Sequence, residues 1–162
     1  MTADDAAAFR GAALALYERA PLRDACLRLQ DRDGLDVTVL LYCLWAAGVG
    51  RAPLDAARLA RIEEKLQPWR ETAVLPLRAV RRRLKGDARD PGETVRRQVA
   101  AAEIAAELIA MDLIAGAEAK APIRPGAAAG AVAMASLHAY AGFRGVAATA
   151  AEDIRLLAAA AL

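Results

Sequence analysis

Val37-Thr38-Val39-Leu40-Leu41-Tyr42-Cys43-Leu44-Trp45 is the stretch on which the fold class turns. A run this long without a charge is either a strand buried on both faces or a helix buried nearly all round. Its β-branched start suits a strand. Two features suit a helix better: no other stretch supplies a partner strand, and Asp36 stands where an N-cap belongs. The run is therefore read as a helix over 37–47, ended by Gly48 and Gly50. With that decided, nothing else in the chain asks for a sheet. The expected fold is all-α, a compact bundle of six to eight helices with short Pro/Gly connections.

Working outward, a first helix is expected over 3–19, with Thr2 as N-cap and Asp4 and Asp5 in its first turn. Pro21 opens a helix over 22–30, and Asp31-Arg32-Asp33-Gly34 reads as a turn. Pro53 opens a helix over 54–67. Pro68 opens another over 69–85, with a kink or break at Pro76. Asp90-Pro91-Gly92-Glu93 reads as a capping box before the longest helix, 91–117. A Pro/Gly-rich connector over 120–126 leads to two Ala-rich helices, 127–141 and 146–161. Residues 1–162 read as one domain, with 127–162 a helical pair packed on 1–118.

Composition narrows the function classes. At 162 residues a chain buries roughly 68–70% of its unfolded surface, so no disulfide staples are needed. Hydrophobic residues make up 57%, but much of that is Ala, and two Phe, three Tyr and two Trp suit close-packed helices better than strands. Cys26 and Cys43 lie in apolar helical patterns and read as reduced core thiols of a cytoplasmic protein. The acidic N-terminus lacks the apolar core of a signal peptide. No stretch has the length and hydropathy of a membrane span. A net charge of +2 argues against bulk polyanion binding, although Arg78 to Arg97 holds eight basic residues against three acidic ones.

Two polar constellations stand out. On the 91–117 helix, Arg96, Glu103 and Glu107 fall within about 40° of one another. One apolar face (Val95, Val99, Ala102, Ala106, Ile109, Leu113) lies to one side, and a second (Ile104, Leu108, Met111) lies nearly opposite. A helix with two apolar faces is expected to be central, its Glu pair partly buried. Arg70, Arg78, Arg81, Arg82 and Lys85 share one side of the preceding helix. That basic face has three readings: a solvated surface with scattered ion pairs, an Arg–Glu network between the two helices, or an anion site. The second constellation is Gln30-Asp31-Arg32-Asp33-Gly34-Leu35-Asp36. It fails as a calcium loop, because its Gly comes too early and Tyr42 stands where the bidentate Glu is required. It is read as a turn and N-cap, or as a polar site lined by Gln30, Asp31 and Asp36. His138, the sole histidine, reads as partly buried, and the Glu-x-x-His pattern of di-iron bundles is absent. No metal and no cofactor are expected, and no catalytic residue is assigned.

Gln30-Asp31-x-x-Gly34-x-Asp36-Val37-x-x-Leu40-Leu41-x-Cys43-x-Trp45 resembles the signature of the bacterial family called domain of unknown function 2390. Trp69-Arg70, Pro76-Leu77-Arg78, Arg81-Arg82-x-Leu84-Lys85 and Ala102-Glu103-x-x-Ala106-Glu107 are similar to it as well. Thr38 departs from the pattern, which has Asn there. The resemblance implies a compact all-helical bacterial protein and brings no reaction with it. The leading expectation is a non-catalytic cytoplasmic module. It would bind a partner protein or an anionic small molecule through Gln30, Asp31, Asp36, Arg70, Arg78, Arg81, Arg82, Glu103 and Glu107. The alternative is an enzyme using Glu103 and Glu107 beside anchoring arginines. Nucleic-acid binding ranks last, for want of interleaved aromatics. A homodimer is compatible with the Ala-rich C-terminal helices.

Overall fold

In the computed structural model, residues 3–85, 91–124 and 126–161 are described. The chain folds as α1 (Ala3–Glu18), α2 (Ala20–Asp33), α3 (Val37–Gly48), α4 (Ala56–Trp69), a π-helical turn (Arg70–Val74), α5 (Leu75–Arg83), α6 (Pro91–Ala117), α7 (Ala129–Phe143) and α8 (Ala147–Ala158). No strand forms among the described residues. Arg51 and Ile123 make one isolated antiparallel bridge. The Thr2 and Asp90 caps fall outside the described residues.

The deciding stretch is a helix, and it lies at the centre. Asp36 caps it, its Oδ1 accepting from the Thr38 N–H at 2.8 Å. Thr38 to Ala47 are all buried, because α1, α2, α6 and α7 each cover part of α3. Tyr42 and Trp45 pack with Phe9 of α1, ring centroids 5.3 to 5.8 Å apart. α7 lies across α3 and α4, and α8 lies on α2, where Asp153 accepts from both Arg28 and Arg32. Cys26 and Cys43 are free, buried thiols, each pushed up to about 12 by burial. His138 is exposed rather than partly buried.

Several boundaries differ from the sequence reading. Asp31 to Asp33 continue α2 for one more turn instead of leaving it. Gly34, at φ 67°, then stops the helix, with its N–H on the Gln30 carbonyl and that of Leu35 on the Leu29 carbonyl. Pro53 does not start α4. Leu54 is held in the connection by its N–H on Ser136 Oγ, and Asp55 provides the cap. Pro68 sits inside α4 and starts nothing. The expected break at Pro76 is a change of winding just before it: the Leu75 N–H reaches back to the Arg70 carbonyl, five residues away. Proline has no N–H to give, and its ring crowds the carbonyl four residues earlier, so a wider turn relieves both problems.

The largest difference concerns α6. Val95, Ile104 and Ile109 are exposed, about half in each case. The buried positions are Glu103, Ala106, Ala110, Met111, Ile114 and Ala115, followed by Glu118 just past the helix end. The polar stripe is thus on the inward face, and the expected apolar faces are split: Ala106 and Met111 are buried, Val99, Leu108 and Leu113 half-buried, and Val95, Ala102, Ile104 and Ile109 exposed.

Candidate functional site

Because the Glu stripe faces inward, it meets the Gln30–Asp36 turn across a cleft of about 450 Å³. α1 contributes Leu14 and Tyr17, α2 Gln30, and α3 its cap Asp36 with Thr38 and Leu41. Across from them stand Val74, Arg78 and Arg81, and then Arg96, Glu103, Ile104, Glu107 and Met111 of α6. The two constellations of the sequence, some seventy residues apart in the chain, share one cavity.

Arginine and glutamate alternate along its α5–α6 wall. Arg78 donates from Nε to Glu103 at 3.0 Å and from Nη2 to Glu107 at 2.8 Å. Arg81 donates to both Glu103 oxygens through Nε and Nη2. The two glutamates fare differently. The Glu103 side chain is 6% exposed and that of Glu107 is 32% exposed. Burial works against the charge on Glu103, yet the hydrogen bonds from Arg81 and Arg78 outweigh it and hold the carboxyl below its ordinary value. Burial raises Glu107, Arg78 offsets this only in part, and the nearby charges of Glu103 and Asp36 add to the rise. The Tyr17 hydroxyl, which lines the same cleft, is raised by burial first and by the charge of Glu107 second. Among the described residues nothing hydrogen-bonds the Tyr17 hydroxyl, the Gln30 side-chain amide or the second oxygen of Glu107.

Arg70 and Arg82 do not join this wall. Arg70 donates to Asp36 Oδ2 at 2.8 Å and to both oxygens of Glu63. Arg82 pairs with Asp31 on the exposed rim. The π turn rotates everything beyond it by about 100°, which sets the α5 arginines relative to Arg70, and the step of about 100° from Arg81 to Arg82 parts those two on α5 itself. Arg70 and Arg82 are left facing the 30–36 turn, and Arg78 and Arg81 face α6. Of the nine expected residues, Gln30, Asp36, Arg78, Arg81, Glu103 and Glu107 line the cleft. Asp31, Arg70 and Arg82 brace its edge. The expected Arg-rich recognition face is occupied: Arg70, Arg78, Arg81 and Arg82 each face a carboxylate, and Arg96 pairs with Glu93.

The sequence reading missed Tyr17 and a sealed network behind the cleft. Arg58 donates to Glu118 through Nε and Nη2, and to the carbonyls of Ala52 and Pro53 at 2.8 Å. Tyr42 donates to the same Glu118 oxygen at 3.1 Å. Both charges were visible at i, i+4 spacing on otherwise apolar stripes, Arg58 with Ile62 and Leu66, Glu118 with Ala110 and Ile114.

An all-helical protein with an inward-facing charged cleft is the class that fold and site define. The chain belongs to the family described as "Protein of unknown function (DUF2390)", which matches residues 10–114. That span holds every cleft residue named above. Thr38, where the resemblance led to Asn, lends its hydroxyl to the Asp36 cap. No curated protein matches the chain, and no solved structure does. Among the described residues no helix is long and apolar enough to cross a membrane, and no three His, Cys, Asp or Glu side chains are grouped to hold a metal ion.

Proposed function

We propose that this protein is a binding module whose ligand is a small molecule held in the cleft between α1, the α2–α3 turn and the α5–α6 hairpin. The observation that carries this is the meeting of the two polar constellations around one cavity of about 450 Å³. That volume lies in the range of small-molecule sites, which pair apolar walls with a few convergent polar groups. Leu14, Leu41, Ile104 and Met111 offer the walls, and Tyr17, Gln30 and Glu107 the polar groups. A cytoplasmic setting suits the two unpaired buried thiols. A protein partner docking on exposed arginines draws less support, because those arginines already face carboxylates.

Ala100 lines the cleft, and Ala100→Trp would fill it. Ligand-observed NMR with a fragment collection, run on the parent and on this variant, tests the proposal. Hits that bind the parent and disappear in the filled variant are expected. No hits, or hits that bind both proteins equally, would overturn it.

A second reading, acid–base chemistry, is favoured by one observation: neighbouring carboxyls displaced in opposite directions, Glu103 down and Glu107 up. Any turnover found among the hits must then vanish in Glu107→Gln.

A further inference from the structure

The cleft's charges are unequally satisfied, and the inequality points to a ligand class. Glu103 accepts from two guanidinium groups. Asp36 accepts from Arg70 on one oxygen and from Thr38 on the other. Arg78 is shared between two carboxylates, Arg81 has both donor positions on Glu103, and Arg96 has both on Glu93. Glu107 alone among the cleft carboxylates has a single hydrogen bond to one oxygen, with a third of its side chain open. Among the described residues Arg78 is the one cation that hydrogen-bonds Glu107, and the charges of Glu103 and Asp36 work against its ionisation. An unbonded phenol, Tyr17, and an unbonded amide, Gln30, line the same cleft, both able to accept from a donor-rich group. Beyond these the walls are hydrocarbon.

We propose that the cleft takes an apolar compound ending in a protonated amine. The ammonium would sit on Glu107, within the reach of Tyr17 and Gln30, with the hydrocarbon along Leu14, Leu41, Ile104 and Met111. An ammonium has three donors and no acceptor, which matches three open acceptors in a way that a carboxylate head would not. It would also neutralise the one carboxylate that Arg78 serves incompletely, and the aromatic face of Tyr17 adds cation–π attraction. The cationic head restores charge balance at a place where burial alone disfavours the carboxylate. This inference rests on the binding reading above, but the two can fail separately.

The test is an amide-resolved NMR titration of the full chain with octylammonium, octanoate and octanol, repeated on Glu107→Gln. Octylammonium is expected to shift cleft amides and to bind roughly tenfold or more tightly than octanoate, with that preference lost in Glu107→Gln. A thermal melt of the variant shows that it remains folded. If octanoate or octanol binds in the cleft as well as octylammonium does, or if Glu107→Gln binds the amine unchanged, the amine inference falls and the binding reading stands. If none of the three perturbs the cleft, the amine inference falls, and the fragment screen with Ala100→Trp decides the binding reading by itself.

Discussion

α6 carries two arginine–carboxylate clusters on one inward face, and they are built to opposite ends. Near its C-terminus Glu118 meets Arg58, with side chains 1% and 5% exposed. Three donors, from Tyr42 and from Nε and Nη2 of Arg58, converge on Glu118 Oε2, two backbone carbonyls accept from Arg58 Nη1, and Glu118 Oε1 is buried without a partner among the described residues. Nearer the N-terminus the same residue types surround a cavity, and Glu107 keeps an oxygen and a third of its surface open. The sealed cluster joins α3, α4 and α6. The open one leaves bonding capacity facing a space. Residue type does not distinguish a structural ion pair from a site, and neither does an unpaired oxygen, which Glu118 has too; exposure and an adjoining cavity do.

Breaking the sealed end should cost most. Glu118→Gln leaves the Arg58 charge buried and unmatched, and a loss of about 3–5 kcal/mol is expected in urea unfolding. Replacing both partners, Arg58→Met with Glu118→Leu, should recover most of that loss, since an apolar pair of similar size needs no hydration. An equally unstable double variant would show that the network does more than satisfy itself.

Glu103→Gln comes next, at about 1.5–3 kcal/mol near neutral pH, for the charge-assisted bonds from Arg78 and Arg81. Its folded value lies below the ordinary one, so its stabilisation is present above the unfolded value and is lost as the pH falls through the folded one. The difference between parent and variant should therefore shrink on acidification, as followed by thermal melts across a pH series.

Glu107→Gln should move stability least, within about 1 kcal/mol, and in the stabilising direction. Here the folded value is raised, so the parent loses stability as pH climbs from the unfolded value through the folded one. The neutral amide removes that slope. The same pH series separates the two glutamates by the sign of their effect. A destabilised Glu107→Gln would place Glu107 with the structural ion pairs and close the contrast.

The fold was legible because its signals were local. A charge-free run behind an Asp cap has few alternatives, and both polar constellations lie within single helices or turns. What stayed hidden depended on partners far along the chain. The faces of α6 were misassigned because alanine gives a helix little contrast. Ala106 and Ala110 are buried while Ala102 is exposed, and nothing about the residue says which. Arg58 and Glu118 lie 60 residues apart, and only the fold pairs them. Pro53 and Pro68 were read as helix starts, a role that proline permits but does not require. The convergence on the cleft needed the α3–α6 packing and could not be seen in either segment alone.

The π turn at Arg70–Val74 makes the whole arrangement depend on a count. Deleting Thr72 or Ala73 from that segment would leave the net charge and every named side chain of the site in place. The rod beyond it would nevertheless come back into step with α4, and Arg78 and Arg81 would swing off α6 toward the turn that Arg70 already serves. Glu103 and Glu107, side by side on α6, would then face the cavity without those two guanidinium groups. For these five residues the chain carries its information as a length, much as a reading frame does, and their chemical identity is secondary to it.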